Sequence, residues 1–184
     1  MKDELQKYVT QYLGRELREV TNSHRITVLN ELDNFEKAIV YKYTEDGYEA
    51  VNENLRNDKR IPELGVHLIN VMKKLSDYKL LCYRAVKLNK SEIQKYQDAL
   101  ANEKVITEKS FLSCSKSKAI ALAFCQSPLF IILSKHGKDI EKIAKFGIDS
   151  GQNEKEILFK PNSKFKVLEI KEEKGRVTIT LEEV

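Results

Sequence analysis

The hydrophobic pattern changes its period near residue 79, and this change limits the fold more than any other feature of the chain. Up to that point, apolar residues recur every three or four positions, which is the pattern of amphipathic helices. Beyond it, short apolar or alternating runs are separated by turn residues, which indicates β-strands. Because helices come first and strands follow them, the 184-residue chain is predicted to be an α+β protein.

The helical part is predicted to contain three main helices. One apolar stripe runs over residues 3–35, and residues 21–23 can interrupt it. A second helix follows a cap at Thr44 or Asp46, and a third begins at Pro62. The helix of residues 3–35 is interpreted as packing on the rest of the protein, and the binding of a partner is the alternative.

The second part of the chain is predicted to consist mainly of strands. They are expected over residues 80–86, 105–107, 109–115, 129–133, 154–159, 164–170 and 177–181. Helices are expected from a capping box at Ser91 to Ala101, over residues 116–125 and, after a turn at residues 137–139, over residues 140–144.

Two carboxylates open the strand predicted over residues 154–159. If Glu154 and Glu156 both belong to that strand, their side chains point the same way, with the Cα atoms roughly 7 Å apart. Ile157 and Phe159 then point into a core. Two acidic groups on one face suit chemistry on a cationic centre, and the alternative is a strand with solvent-facing glutamates.

An arginine and two serines lie in strands predicted before this one. Arg84 stands in the middle of the apolar strand 80–86, where a guanidinium is costly unless it binds an anion or lies at an open edge. It is therefore either an edge residue facing water or a phosphate ligand. Ser113 and Ser115 end the strand 109–115, where hydroxyls often cap the next helix.

Composition argues against several classes of protein. The cysteines Cys82, Cys114 and Cys125 are odd in number, lack CxxC spacing and have few histidines beside them, so buried reduced thiols are expected rather than disulfides or a metal site. The net charge of +4 comes from interleaved Lys and Glu and does not by itself indicate nucleic-acid binding. Neither an apolar signal core nor a run of about 20 apolar residues is present, so no membrane segment is expected.

The order of these signals, an arginine in a strand, then Ser-x-Ser, then Glu-x-Glu, resembles the arginine–serine–glutamate group of mono-ADP-ribosyltransferases, which are toxin-type enzymes that use NAD. The resemblance rests on Tyr83-Arg84, Phe111-Leu112-Ser113-Cys114-Ser115 and Glu154-Lys155-Glu156-Ile157-Leu158-Phe159. The segments 38–56 and 161–168 are also similar to that family. Cys114 stands where the family usually has Thr.

The resemblance implies an N-terminal helical segment over residues 1–35 and an ADP-ribosyltransferase-like catalytic domain over residues 36–184. The implied fold has N-terminal helices followed by a mainly antiparallel β core of two sheets with an NAD cleft. A Rossmann-type NAD site is excluded, because the chain has seven Gly and no Gly-rich nucleotide motif.

The resemblance also implies roles for individual residues. Arg84 is expected to bind an NAD phosphate, Ser113 to orient Glu156, and Glu156 to stabilise the charge that grows on the nicotinamide ribose. Glu154 is expected to engage the acceptor, for which the family pattern indicates arginine. The further residues expected at NAD are Asn52, Arg56, Ser115 and Phe124, and the loop 146–153 is expected to contact the target protein.

The implied function is mono-ADP-ribosyl transfer from NAD to a protein side chain, with release of nicotinamide. The alternatives are an NAD glycohydrolase and a non-catalytic protein-binding module with the same fold. NAD is expected as a substrate and no metal is expected. The expected partner is a target protein, with neither a membrane nor nucleic acid involved. The protein is expected in a cytosol, directly or after secretion or injection into a host cell.

Overall fold

The computed structural model describes residues 2–184, and the chain divides into two compact units. One consists of the residues up to 76 together with residues 139–155, and the other of residues 77–138 and 156–184. The predicted catalytic domain over residues 36–184 includes parts of both units, and its boundary after residue 35 stays a prediction.

The first unit is helical. Its elements are α1 (Lys2–Tyr12), α2 (Gly14–Thr21), a 3-10 turn (His24–Thr27), α3 (Asn34–Lys42), a π turn (Tyr43–Gly47), α4 (Tyr48–Arg56) and α5 (Glu63–Met72). The interruption allowed at residues 21–23 is confirmed, since α2 ends at Thr21, but the continuation of the helix to residue 35 is wrong. A further break, at Leu13 (φ −121°, ψ 32°), was not predicted, because the apolar stripe continues across it.

Helix α3 begins with a capping box and runs on into α4. Asp33 Oδ1 accepts the Glu36 N–H, and Glu36 Oε2 accepts the Asp33 N–H, both at 3.0 Å. The predicted cap at Thr44 or Asp46 is wrong, because the π turn carries the helix through this point. The Thr44 hydroxyl instead donates to the Val40 carbonyl at 3.0 Å.

The second unit contains the strands and two helices. The strands are β1 (Asp77–Tyr78), β2 (Leu81–Ala85), β3 (Val105–Glu108), β4 (Leu112–Ser115), β5 (Leu129–Leu133), β6 (Gly137–Asp139), β7 (Glu156–Phe159), β8 (Ser163–Glu173) and β9 (Arg176–Glu183), and the helices are α6 (Lys90–Ala101) and α7 (Lys118–Phe124). The turn predicted at 137–139 is wrong, since these residues form β6. The helix predicted over residues 140–144 is also wrong, since these residues form turns. The capping box of α6 uses Asn89 with Glu92, not Ser91.

The strands form one mixed sheet in the order β1-β6-β7-β4-β2-β5-β9-β8-β3. Strands β5 and β9 are parallel, while β2–β5, β4–β7 and β8–β9 are antiparallel pairs. The α+β class is confirmed. The expectation of two separate, mainly antiparallel sheets is not met, because β2 and β4 pair at Tyr83 and Ser115 and join all nine strands.

The sheet curls, so that strands far apart in its order come into contact. The rings of Phe159 in β7 and Phe165 in β8 lie 5.4 Å apart, although these strands are five positions apart in the sheet order. In a flat sheet that separation would be roughly 24 Å, at about 4.8 Å per strand. The curl encloses one core, formed by Cys82, Ile106, Cys114, Phe130, Ile132, Ile157, Phe159, Phe165, Val167, Ile179 and Leu181.

The contact that closes the curl predicts a large loss of stability on truncation. Phe165 is fully buried, so Phe165→Ala should lower the free energy of unfolding by about 3–5 kcal/mol. Leu168→Ala in the same strand, where the side chain is 43% exposed, should change it by less than about 1 kcal/mol. Urea denaturation of the two variants measures the difference, and equal losses would contradict the curled core.

Candidate active site

The pairing of β4 with β7 places the predicted serines and the second glutamate together. Cys114 lies opposite Ile157, and both side chains point into the core. The side chains of the adjacent residues in each strand therefore point to the other face of the sheet, where Ser115 lies opposite Glu156. Ser115 and Glu156 are each only 6% exposed. The strand register thus holds a hydroxyl and a carboxylate side by side in a buried position.

The register distinguishes the two serines. Directly opposed residues in antiparallel strands have Cβ atoms about 4.5–5.5 Å apart, whereas diagonal neighbours are roughly 7–8 Å apart. Ser115 is directly opposite Glu156, while Ser113 is opposite Leu158 and diagonal to the glutamate. The Ser115 Oγ accepts the Ser117 N–H at 3.1 Å, so the hydroxyl can donate its own proton to a carboxylate oxygen. Ser115 therefore lies nearer to Glu156 in the register than Ser113 does, and the role of Ser113 stays a prediction.

Arg84 lies in a central strand and bonds to the backbone of β4. Strand β2 stands between β4 and β5, so the interpretation of Arg84 as an edge residue is wrong. The Arg84 Nη1 donates to the Ser113 carbonyl at 2.7 Å. Tyr83 pairs with Ser115, so their side chains point to the same face of the sheet. The Arg84 side chain, one residue further along β2, points to the opposite face and extends sideways to the Ser113 carbonyl.

The charge of Arg84 acts within a half-buried environment. Burial, and then the charge of Glu108, raise the pKa of the Tyr96 phenol well above its ordinary range, and the nearby Arg84 charge opposes that rise. Within residues 2–184, none of the salt bridges of the structure gives Arg84 a carboxylate partner. A guanidinium in a central strand that is bonded to a carbonyl and to no carboxylate can take up an anion.

Glu154 does not share a strand face with Glu156. Strand β7 begins at Glu156, and Lys155 before it adopts a left-handed conformation with φ 50°. The Lys155 N–H is bonded to Asn153 Oδ1 at 2.9 Å, which fixes a tight turn. The prediction that both carboxylates project from one face is therefore wrong, because strand alternation does not continue through Lys155.

Glu154 belongs to the first unit and closes a loop there. Its N–H donates to the Phe146 carbonyl at 2.9 Å, so the residues between them form a loop whose two ends are joined by this hydrogen bond. A side chain at Gly147 would overlap the Glu141 carbonyl oxygen, and hence this position requires glycine. Burial raises the pKa of the Glu154 carboxyl. The loop therefore holds a carboxylate that takes up a proton more readily than an exposed glutamate.

The remaining predicted NAD residues lie in three different settings. Asn52 is half-buried in α4, and its Nδ2 donates to the Tyr43 hydroxyl at 3.1 Å. Arg56 is exposed at the end of the same helix in the first unit. Phe124 ends α7 in the second unit and is 67% exposed, which is unusual for a phenyl ring. Thus Arg84, Ser113, Ser115 and Glu156 lie on the neighbouring strands β2, β4 and β7, with Arg84 on the face opposite to that of Ser115, whereas Asn52, Arg56 and Glu154 belong to the other unit.

No three His, Cys, Asp or Glu side chains among residues 2–184 are grouped so that they could hold a metal ion. None of the helices in this range combines the length and the apolar character needed to cross a lipid bilayer.

Sequence reasoning missed one residue that contacts the loop carrying Glu154. Arg25, buried in the 3-10 turn, bonds to Ala144 and Asp149, which lie more than a hundred positions along the chain. In the sequence, Arg25 stands between the two halves of the apolar stripe of residues 3–35. That pattern does not predict a contact with Ala144 or Asp149.

Solved structures share this fold. Exoenzyme S from Pseudomonas aeruginosa, in complex with human 14-3-3 protein beta and bound to carba-NAD, is 18% identical with a TM-score of 0.79, over 99% of this chain and 88% of that one. The ADP-ribosyltransferase HopU1 of Pseudomonas syringae is 18% identical with a TM-score of 0.71, over 91% and 85%. The ADP-ribosyltransferase Vis from Vibrio splendidus, in complex with agmatine, is 23% identical with a TM-score of 0.64, over 97% and 85%.

At these identities the likeness establishes the fold alone, and the family follows from the sequence. No curated protein sequence matches the chain as a relative. The family model of the ADP-ribosyltransferase exoenzymes matches residues 20–184, which is most of the chain. The chain therefore belongs to the ADP-ribosyltransferase exoenzyme family.

Proposed function

We propose that this protein transfers ADP-ribose from NAD to an arginine side chain of a target protein and releases nicotinamide. The observation that carries the proposal is the placement of Arg84, Ser115 and Glu156 on three neighbouring strands, with Glu156 opposite Ser115 and Arg84 bonded to the backbone of β4. Membership of the family supports ADP-ribosyl transfer. The carba-NAD bound to exoenzyme S supports NAD as the donor, and agmatine, a guanidine compound, in the complex with Vis supports a guanidine acceptor.

Glu156 acts on the bond that breaks. When the bond between the ribose carbon and the nicotinamide nitrogen is cleaved, its electron pair leaves with nicotinamide and neutralises the ring. Positive charge then develops on the ribose, as in glycoside hydrolysis, and a buried carboxylate beside it lowers the barrier. Glu156, oriented by a hydrogen bond from Ser115, supplies that carboxylate and accepts a hydrogen bond from the ribose 2′-hydroxyl.

Arg84 binds the diphosphate of NAD. A guanidinium has five N–H donors in a planar fork, which fits phosphate oxygens, and one of them is used at the Ser113 carbonyl. This bond fixes the direction of the fork before NAD arrives. Asn52, Arg56 and Phe124 are proposed to assist in binding NAD, as the family pattern implies.

Glu154 acts on the acceptor. A nitrogen of the acceptor guanidinium forms the new bond to the ribose carbon and must lose a proton as it does so. A carboxylate with a raised pKa is a better base for that proton than an ordinary glutamate. The negative charge of Glu154 also favours a cationic acceptor. The family name, exoenzyme, supports action in the cytosol of another cell after export, and we include this place of action in the proposal.

The proposal is tested by following labelled NAD. Glu156→Gln should slow NAD cleavage by roughly 10²–10³-fold, since a group that stabilises transition-state charge is removed. Glu172→Gln, an exposed glutamate in β8, serves as the matched control and should leave the rate unchanged. Equal cleavage by the Glu156 variant and the wild type would contradict the assignment.

The product identifies the acceptor class in the same experiment. Label on agmatine or on a protein supports transfer, free ADP-ribose with no adduct points to a glycohydrolase, and failure to bind NAD points to a non-catalytic binding module.

The strand register predicts which of the two serines contributes more to the rate of NAD cleavage. Ser115→Ala removes the hydrogen bond that we propose between Ser115 and Glu156; a bond to a charged group is worth about 1.5–3 kcal/mol, so kcat/KM for NAD cleavage should fall by roughly ten- to a hundred-fold. Ser113→Ala should have a smaller effect, because the carbonyl that Arg84 contacts is retained. A larger loss with Ser113→Ala would contradict the role given to the register.

The raised pKa of Glu154 predicts a pH dependence of transfer. Glu154 accepts a proton only when ionised, so the ratio of transfer to hydrolysis should fall as the pH falls through this pKa, which lies above the ordinary value of about 4.3. The ratio cancels the ionisation of Glu156, which serves both reactions. Glu154→Gln should give a low ratio at every pH. A wild-type ratio that does not change with pH would contradict the role of Glu154 as base.

A further inference from the structure

One buried arginine in the first unit makes a full set of hydrogen bonds to a single loop and its surroundings. Arg25 is 6% exposed. Its Nε and Nη2 donate to the Ala144 carbonyl at 3.3 and 2.9 Å, and Nη2 also donates to the Lys145 carbonyl at 3.5 Å. Its Nη1 donates to Asp149 Oδ2 and to Ser23 Oγ, both at 3.2 Å. These contacts account for all five N–H groups of the guanidinium.

The loop that Arg25 binds is the loop that ends at Glu154. The carbonyls of residues 144 and 145 directly precede Phe146, and the Phe146 carbonyl accepts the Glu154 N–H at 2.9 Å. Residues 144–149 form neither a helix nor a strand, so a side chain supplies the hydrogen bonds that regular structure would provide. The position of Glu154 therefore depends on Arg25 through two connections, namely the backbone from residue 144 to Phe146 and the hydrogen bond from the Glu154 N–H to the Phe146 carbonyl.

Other contacts also hold residues 144–149 of this loop in place. Asp149 is also bonded to His24 Nδ1, and so two consecutive side chains hold it. The Lys145 N–H donates to Thr44 Oγ1 at 2.8 Å. The Arg25 guanidinium lies over the Tyr41 ring, 5.1 Å from its centroid, which offsets part of the cost of burying the charge. Residues 144–149 are thus attached to the 3-10 turn, to the π turn and, through Tyr41, to α3.

We propose that Arg25 is a positioning residue for the acceptor half of the reaction. By fixing the loop 144–149 it sets where Glu154 meets the acceptor guanidinium, and it touches neither NAD nor acceptor itself. This inference rests on the proposed function. Arg84, Ser115 and Glu156 belong to the other unit, so loss of the Arg25 contacts should spare NAD cleavage and impair transfer. ADP-ribose should then pass to water instead of to the acceptor.

The test is a competition between agmatine and water in one reaction. Arg25→Lys keeps the positive charge but lacks the planar fork, so it cannot bond to Ala144, Lys145 and Asp149 together. The ratio of ADP-ribosyl-agmatine to free ADP-ribose should fall by roughly ten- to a hundred-fold, which is the size of effect that a misplaced catalytic group produces. This ratio does not depend on the folded fraction of the enzyme. NAD consumption per folded molecule should stay near that of the wild type, and the apparent KM for agmatine should rise.

Two further variants make the result decisive. Arg18→Lys changes an exposed arginine of α2 and should leave the ratio unchanged. Asp149→Ala removes the Nη1 contact at an exposed residue and should shift the ratio in the same direction by less. Combined with Arg25→Lys it should act less than additively, because both changes break one set of contacts. Should Arg25→Lys fail to fold, Asp149→Ala decides the question.

Amide hydrogen exchange provides a readout besides activity. Exchange at Glu154, whose N–H closes the loop, should be faster in Arg25→Lys than in the wild type. A wild type that cleaves NAD and transfers ADP-ribose, together with variants whose product ratio is unchanged, would overturn the role of Arg25 alone. A wild type that cleaves no NAD would overturn the proposed function and this inference with it.

Discussion

The candidate site depends on the burial of Cys114 against Ile157 between β4 and β7. These side chains are 5% and 0% exposed, and burying apolar groups of this size contributes about 1.5–3 kcal/mol each. Because side chains alternate, a slip of one residue would expose this pair and force Ser115 and Glu156 into the core. The hydrophobic effect thereby fixes the place of a carboxylate. Where the family usually has Thr, Cys114 still serves this purpose, since its side chain points away from both serines.

A second constraint is the guanidinium of Arg84 beside a central strand. The structure gives it a carbonyl of β4 as a partner, and the salt bridges among residues 2–184 give it no carboxylate. A half-buried cation without an ionic partner costs free energy, so this position suits a group that binds an anion. We propose that Glu156 and Arg84 act at two parts of one dinucleotide. The Glu156 carboxylate suits the ribose, where positive charge develops, and the Arg84 guanidinium suits the phosphates, which are negatively charged throughout the reaction.

The sequence was sufficient for the fold class, for the strands other than β1 and β6, and for the residues that lie on β2, β4 and β7, since alternation and apolar runs report directly on burial. It was insufficient where geometry depends on a single backbone angle or on distant contacts. The positive φ of Lys155 separates Glu154 from the strand of Glu156 and leaves no mark in the hydrophobic pattern. The choice of Ser115 over Ser113 depends on a register set by tertiary pairing. Arg25 contacts Ala144 across 119 positions of sequence, which no local pattern reveals.

A crystal structure of the protein with a non-hydrolysable NAD analogue tests the central claim most directly, namely that one dinucleotide meets both Glu156 and Arg84. We expect the ribose 2′-hydroxyl next to nicotinamide to lie within hydrogen-bonding distance of the Glu156 carboxylate. We expect a phosphate oxygen of the same molecule to accept from the Arg84 guanidinium. An analogue bound elsewhere, or one that contacts only one of these two side chains, would contradict the account.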